Sequence, residues 1–126
     1  MLSTRLKASE VGPTRERLRL AQGGLCALCK LPLPAEKAVL DHCHTTGAIR
    51  GAIHNGCNAL LGKVENNYKR YGVQNLFAFL HGCADYLQRH STNVTGLLHP
   101  THKTPEEKRL RTNAKARARR AATKTT

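Results

Sequence analysis

The sequence predicts a small α+β fold: a β-hairpin and the helix that follows it, flanked by further helices and trailed by a basic C-terminal tail. Three observations predict it. Two short β-prone runs enclose a glycine turn, helix-forming stretches stand on either side of them, and two x-x spaced pairs of metal-ligand residues, Cys26/Cys29 and His54/Cys57, bracket the hairpin. At 126 residues with 4% aromatics, the chain is long enough for one domain but has little material for a packed core. A metal staple would compensate.

Residues 14–22 are good helix formers with Leu18 and Leu20 as apolar contacts, and Gly23 and Gly24 break the pattern before Cys26. Residues 31–34, Leu-Pro-Leu-Pro, form an extended or turning connector, because each proline fixes its own backbone and biases its predecessor away from helix. Residues 38–41 and 48–53 read as the two strands, joined by a turn at 44–47 that ends in Gly47. Helical composition returns from about Gly56, with Gly62 as a weakening point. A further helix is expected over residues 73–89, where Leu76, Leu80, Cys83 and Leu87 recur at steps of three and four. That stripe fits core packing or a homodimer face. Residues 1–100 are thus expected to form one domain.

Residues 101–126 hold nine of the chain's 21 Lys/Arg and two of its 8 Asp/Glu, within a formal net charge of +13. So strong a basic balance points to a polyanionic partner, nucleic acid first. The segment opens with a good helix start at Thr104-Pro105, yet its charge density predicts a tail that stays flexible until it meets an anion. Lys108, Arg109, Arg111, Lys115, Arg117, Arg119 and Arg120 are the candidate phosphate contacts, with little sequence discrimination. The competing reading is a merely solvated charged tail. Scattered aromatics and the lack of a glycine-rich phosphate loop disfavour base stacking and nucleotide hydrolysis.

Five cysteines, an odd number, arranged partly as Cys-x-x-Cys and His-x-x-Cys, suit metal ligation in a reducing compartment better than a disulfide framework. Cys26, Cys29, His54 and Cys57 supply the four soft or borderline ligands of a closed tetrahedral site, so structural zinc is expected. One ion would clamp the segment entering the hairpin to the segment leaving it. No apolar run approaches the roughly 20 residues needed to cross a bilayer, and residues 1–7 lack a signal peptide's apolar core. A soluble cytoplasmic protein with no membrane partner is expected.

Between the ligand pairs lies Asp41-His42-Cys43-His44, and Asn58 directly follows the last ligand. A carboxylate, two imidazoles and a carboxamide around one hairpin and helix are the parts of a metal-dependent phosphodiesterase, which needs an activated water, a cation against developing charge and help for the leaving oxygen. Strict strand alternation would send Asp41 and His42 to opposite faces, so the strand is expected to end or bulge there. Arg50 is expected either to approach substrate phosphate or to balance the charge of a three-thiolate zinc site.

The run from Gln22-Gly-Gly-Leu-Cys-Ala-Leu-Cys29 through Asp41-His42-x-His44-x-Thr-Gly-x-x-Arg50-Gly51 to Cys57-Asn58 resembles the phage recombination endonuclease VII family of ββα-metal, HNH-like nucleases. The resemblance covers about residues 14–67. It implies a phage-encoded DNA endonuclease for duplex, nicked or branched substrates, acting in the host bacterial cytoplasm. It further implies that Asp41 and Asn58 hold a catalytic magnesium or manganese ion, that His42 is the general base, and that His44 contacts the scissile phosphate or assists the leaving group. A neutral histidine as base near pH 7 and hard oxygen donors for magnesium agree with that assignment. The chain departs from the family pattern at His54, where a cysteine is usual, and at Cys43, where an acidic residue is common. Leu61 stands where the best-known member has an acidic residue one turn after the Asn, and Glu65 lies one turn further along the same face, which leaves open whether it takes that place. The competing class is a noncatalytic zinc module that binds DNA or an acidic protein, with no need of Asp41, His42 or Asn58.

Overall fold

The computed structural model describes residues 3–124. They divide into two compact units, Met1–Leu80 and His81–Thr126. In the first, a 3-10 turn leads into α1 (Val11–Ala21), which is followed by a cysteine-bearing loop, β1 (Ala38–His42), β2 (Ile49–His54) and α2 (Asn55–Asn67). Helix α3 (Leu76–Arg89) comes next, and α4 (Pro105–Lys124) lies in the second unit. The architecture is the small α+β hairpin-and-helix fold that the sequence predicts, and α2 runs unbroken through Gly62.

The antiparallel hairpin pairs Ala38 with His54, Val39 with Ile53, Leu40 with Ala52 and Asp41 with Gly51, then shifts so that His42 faces Ile49. Arg50 is therefore the extra residue on β2, and the bulge falls at the Asp41/His42 step, where the sequence requires alternation to fail. The turn closes through the amide of Cys43 on the Ala48 carbonyl (2.9 Å) and that of Gly47 on the Cys43 carbonyl (2.7 Å), with Gly47 at φ 77°. A positive φ of that size is accessible to glycine at no steric cost.

The buried core is small: Cys26, Leu33, Ala38, Ala52 and Ile53, with Leu18, Ala27, Val39 and Cys57 packed against it. Gln22 joins α1 to the hairpin. Its side-chain amide donates to the carbonyls of Leu25 and Ala52 (both 2.8 Å), and its oxygen accepts from the Ala52 amide at 2.9 Å, so the side chain pairs with β2 as a strand would. Gly51 leaves room for the clasp: a Cβ there would stand 3.1 Å from the Gln22 Oε1 and 3.4 Å from the Ala27 Cβ, so the Gln22 side chain would have to shift. Arg19, held by Glu16 (2.8 and 2.7 Å), donates to the Leu33 carbonyl at 3.1 Å and fastens the loop to α1.

Two expectations change. The basic tail, whose charge density predicts a flexible segment, is helical from Pro105 to Lys124. Its start carries a reciprocal cap: the Thr104 hydroxyl accepts from the Glu107 amide (3.2 Å) and donates to the Glu107 carboxylate (3.1 Å). Alanines spaced among the Lys and Arg then supply helix propensity that outweighs the repulsion between like charges. The second change concerns α3, which begins at Leu76 rather than Val73, with Asn75 capping the Ala78 amide at 3.0 Å. None of its residues is buried; Leu76 and Cys83 are half-buried, whereas Leu80 and Leu87 are exposed. Core packing within the chain therefore does not account for the stripe.

Candidate active site and metal centre

The loop after α1 is shaped for its cysteines. The Cys26 amide donates to the Leu31 carbonyl (2.9 Å), the Lys30 amide donates to the Cys26 carbonyl (3.0 Å), and Lys30 takes φ 66°, reversing the chain so that Cys26 and Cys29 face one point. On the other side, β2 passes into α2 with no intervening loop, so His54 ends the strand and Cys57 stands in the first helical turn. One sulfur each from Cys26, Cys29 and Cys57 and one ring nitrogen of His54 lie within 4.8 Å of one another. Among the described residues no other His, Cys, Asp or Glu side chains form such a group of three or more.

The donor set fits zinc. Bond lengths of about 2.3 Å to sulfur and about 2.05 Å to nitrogen give a tetrahedral S–N edge of about 3.6 Å. The Cys29 Sγ–His54 Nδ1 and Cys57 Sγ–His54 Nδ1 separations, 3.3 and 4.0 Å, bracket that value. The other ring nitrogen, Nε2, lies 3.0 Å from the Pro32 carbonyl. A carbonyl only accepts, so Nε2 carries the proton and Nδ1 turns its lone pair to the sulfurs, the outer-shell arrangement usual for a ligating histidine.

Electrostatics point the same way. Burial pushes the Cys26 thiol up, but the backbone amides of Cys29, His54 and Leu28 together outweigh it and hold the pKa at about 6. Burial, reinforced by the neighbouring sulfurs of Cys29 and Cys26, drives Cys57 up to about 11. Several thiolates crowded into one space repel one another, and a divalent cation relieves that repulsion.

The second constellation lies at the bulge. Asp41 is buried at 7% exposure, the only buried charged side chain among the described residues. Arg50 donates to both its oxygens, Nε to Oδ2 at 2.7 Å and Nη2 to Oδ1 at 3.0 Å. The same guanidinium reaches Glu65 on α2, Nη1 to Oε2 at 2.9 Å and Nη2 to Oε1 at 3.0 Å. The hydrogen bonds that Arg50 donates to Glu65 and Asp41 raise its own pKa above an already high ordinary value and hold the Glu65 carboxyl below the usual range. Arg50 thus ties the hairpin to α2.

His42 and His44 are exposed, with ring centroids 4.7 Å apart. Asn58 is half-buried in the first turn of α2, and seven residues, close to two helical turns, separate it from Glu65, so both share the face that Arg50 draws toward the hairpin. Half-buried Cys43 separates the two histidines in sequence, its thiol held below the ordinary value chiefly by Thr46.

The structure thus gathers all four predicted zinc ligands and joins Asp41 to Glu65 through Arg50, with His42 following Asp41 at the bulge and its ring against that of His44. Gln22 and Gly51 carry no chemistry of their own, and no sequence pattern assigns them a role; the close approach that favours a glycine appears only once α1 and β2 are placed. Of the seven tail candidates, all lie on α4, and Arg109 is paired with Glu106 at 2.6 Å. No helix among the described residues is long and apolar enough to cross a membrane.

No curated protein matches the chain. The family model of recombination endonuclease VII, a family of nucleases, matches residues 4–89, more than half of the chain and all of the hairpin, the Cys/His cluster and α2. On that match, the chain belongs to the recombination endonuclease VII family.

Proposed function

We propose that this protein is a metal-dependent DNA endonuclease in which a structural zinc ion, held by Cys26, Cys29, His54 and Cys57, builds the hairpin and helix that carry the hydrolytic site. Asp41 and Asn58 hold a catalytic divalent ion, magnesium or manganese, through hard oxygen donors. That ion, when bound, neutralises charge developing on the phosphate. His42 is the general base, since it is exposed and neutral imidazole suits proton abstraction near pH 7; its neighbour His44, also exposed, contacts the phosphate or assists the leaving oxygen. Glu65, on the Asn58 face of α2, is the nearest acid on that helix face to Leu61, where the family's best-known member carries an acidic residue.

The observation that carries the reading is the bulge at Asp41/His42. By breaking alternation there, it lets a buried carboxylate and an exposed imidazole from adjacent positions serve one site, beside a helix face offering Asn58 and Glu65. Lys108, Arg109, Arg111, Lys115, Arg117, Arg119 and Arg120, on a helix of high positive charge, supply nonspecific phosphate contacts that bring DNA to the hairpin. Residues 101–126 form the DNA-binding tail of the domain over 1–100. Branched or nicked DNA is the proposed substrate, and the exposed side of α3 is the proposed homodimer face.

The test is a cleavage panel of duplex, nicked, forked and four-way DNA, each with magnesium, with manganese and with chelator, on zinc-loaded protein. Cleavage of branched or nicked substrates that requires the added ion is the expected result. Binding without cleavage of any substrate under any metal condition would favour the noncatalytic zinc module instead.

A further inference from the structure

We infer that Arg50 is a built-in rival of the catalytic cation: its guanidinium neutralises Asp41 and Glu65, and a divalent ion that takes Asp41 must displace it. The inference rests on the proposed role of Asp41 as a metal ligand.

Four contacts define the arrangement. Arg50 uses Nε and Nη2 on Asp41 (2.7 and 3.0 Å) and Nη1 and Nη2 on Glu65 (2.9 and 3.0 Å), so every oxygen of both carboxylates is occupied by one side chain. The Asp41 side chain is 8% exposed and that of Glu65 is 27% exposed. A carboxylate so enclosed needs a cation or its desolvation goes uncompensated. Arg50 meets that need because the bulge makes it the unpaired residue of β2, with a side chain freed from the pleat and aimed across to α2.

The balance of charge allows one cation at a time. Two carboxylates and one guanidinium leave the group one unit negative. A divalent ion added beside a retained guanidinium makes it one unit positive around the buried Asp41 carboxylate, with two cations sharing the same oxygens; an ion that replaces the guanidinium leaves it neutral. At separations of a few ångströms the repulsion between the two cations exceeds thermal energy even with a protein-like effective dielectric constant of about 20. A third of the Arg50 side chain is exposed, so a path to solvent is open. Arg50 is therefore a positioning residue that sets the ion's affinity and keeps Asp41 and the Glu65 face of α2 facing each other until the ion arrives.

The test uses the zinc-loaded full chain and its Arg50→Gln variant, with manganese binding followed by electron paramagnetic resonance. The variant keeps hydrogen-bonding capacity but loses the charge, and its manganese Kd is expected to fall by about tenfold or more. Without manganese it is expected to melt below the wild-type protein, with manganese narrowing the gap. A second measurement needs no variant: the Arg50 Nε–H signal of the wild-type protein, followed by NMR, is expected to move from a protected to a solvent-like position as magnesium is added. An unchanged Kd, or an Arg50 signal that stays put at saturating magnesium, would overturn the inference while leaving the ion-binding reading intact. Failure of either protein to bind manganese would instead remove the ion site itself, and this inference with it.

Discussion

Removing the zinc ion is expected to unfold the hairpin unit, not merely loosen it. Among the described residues, Leu33 and Ile53 are the only large apolar side chains buried below 2% exposure, and the remaining core consists of Cys26, Ala38 and Ala52. Full burial of a Leu or Ile contributes about 1.5–3 kcal/mol, so the two together supply about 3–6 kcal/mol. A structural zinc site contributes about 10–16 kcal/mol at neutral pH, against a net stability of about 5–15 kcal/mol for an ordinary domain. The ion's share therefore exceeds what the core can replace, and two of the ligand positions, Cys26 and Cys57, belong to that core or pack on it. The assay is amide hydrogen exchange across the hairpin before and after a strong zinc chelator. Protection at Val39, Ala52 and Ile53 should vanish together on chelation and return when zinc is restored. Protection that survives complete loss of the ion would show that the hairpin does not depend on the Cys/His cluster, and the reasoning would be wrong.

Three further outcomes are expected. Gly51→Ala places a Cβ 3.1 Å from the Gln22 Oε1 and 3.4 Å from the Ala27 Cβ, which should part the Gln22–Ala52 clasp and cost about 1–3 kcal/mol; calorimetry showing an unaltered melting temperature would contradict this. Glu65→Gln should be pH-dependent in its effect: Arg50 depresses the Glu65 pKa below its ordinary 4.5, so the ion pair's stability is fully present above about pH 4.5 and is lost as pH falls through the lower folded value. The gap between wild type and variant, on the order of 1 kcal/mol at pH 7 for a partly exposed charge-assisted pair, should shrink below pH 4.5, whereas a gap indifferent to pH would refute the pairing. Replacing Lys115, Arg117, Arg119 and Arg120 with glutamine should weaken DNA binding and flatten the slope of log affinity against log salt by about 3 to 4, and an unchanged slope would remove α4 from the DNA interface.

The range of each interaction decides whether the sequence reveals it. The zinc quartet is legible because x-x spacing within a turn decides locally whether two side chains reach one ion, and Cys26/Cys29 and His54/Cys57 need only a hairpin between them to meet. The break at Asp41/His42 is legible because strand alternation is a rule that these two residues cannot both obey at one site. The partner of Arg50 is not, since the bulge that frees its side chain and the helix face that presents Glu65 are products of register and packing, which no local spacing encodes. Glu65 is visible in the sequence only as an acid on the Asn58 face, with nothing to say that β2 would send it a guanidinium. In α4 the capping pair Thr104–Glu107 stands in plain view, but the density of like charge argues against a helix, and the balance between that repulsion and cap plus alanine propensity is not written in the pattern. The α3 stripe has the right period for a buried helix, and period alone does not reveal whether the face is covered.

The most direct measurement compares magnesium-dependent cleavage of branched DNA by the wild-type protein and by His42→Ala, with zinc content and hairpin amide protection checked in both. The expected result is a variant that keeps its zinc and its fold yet cleaves slower by on the order of 10²-fold or more. A zinc-loaded, folded His42→Ala protein that cuts as fast as the wild type would contradict a hydrolytic site built at the bulge.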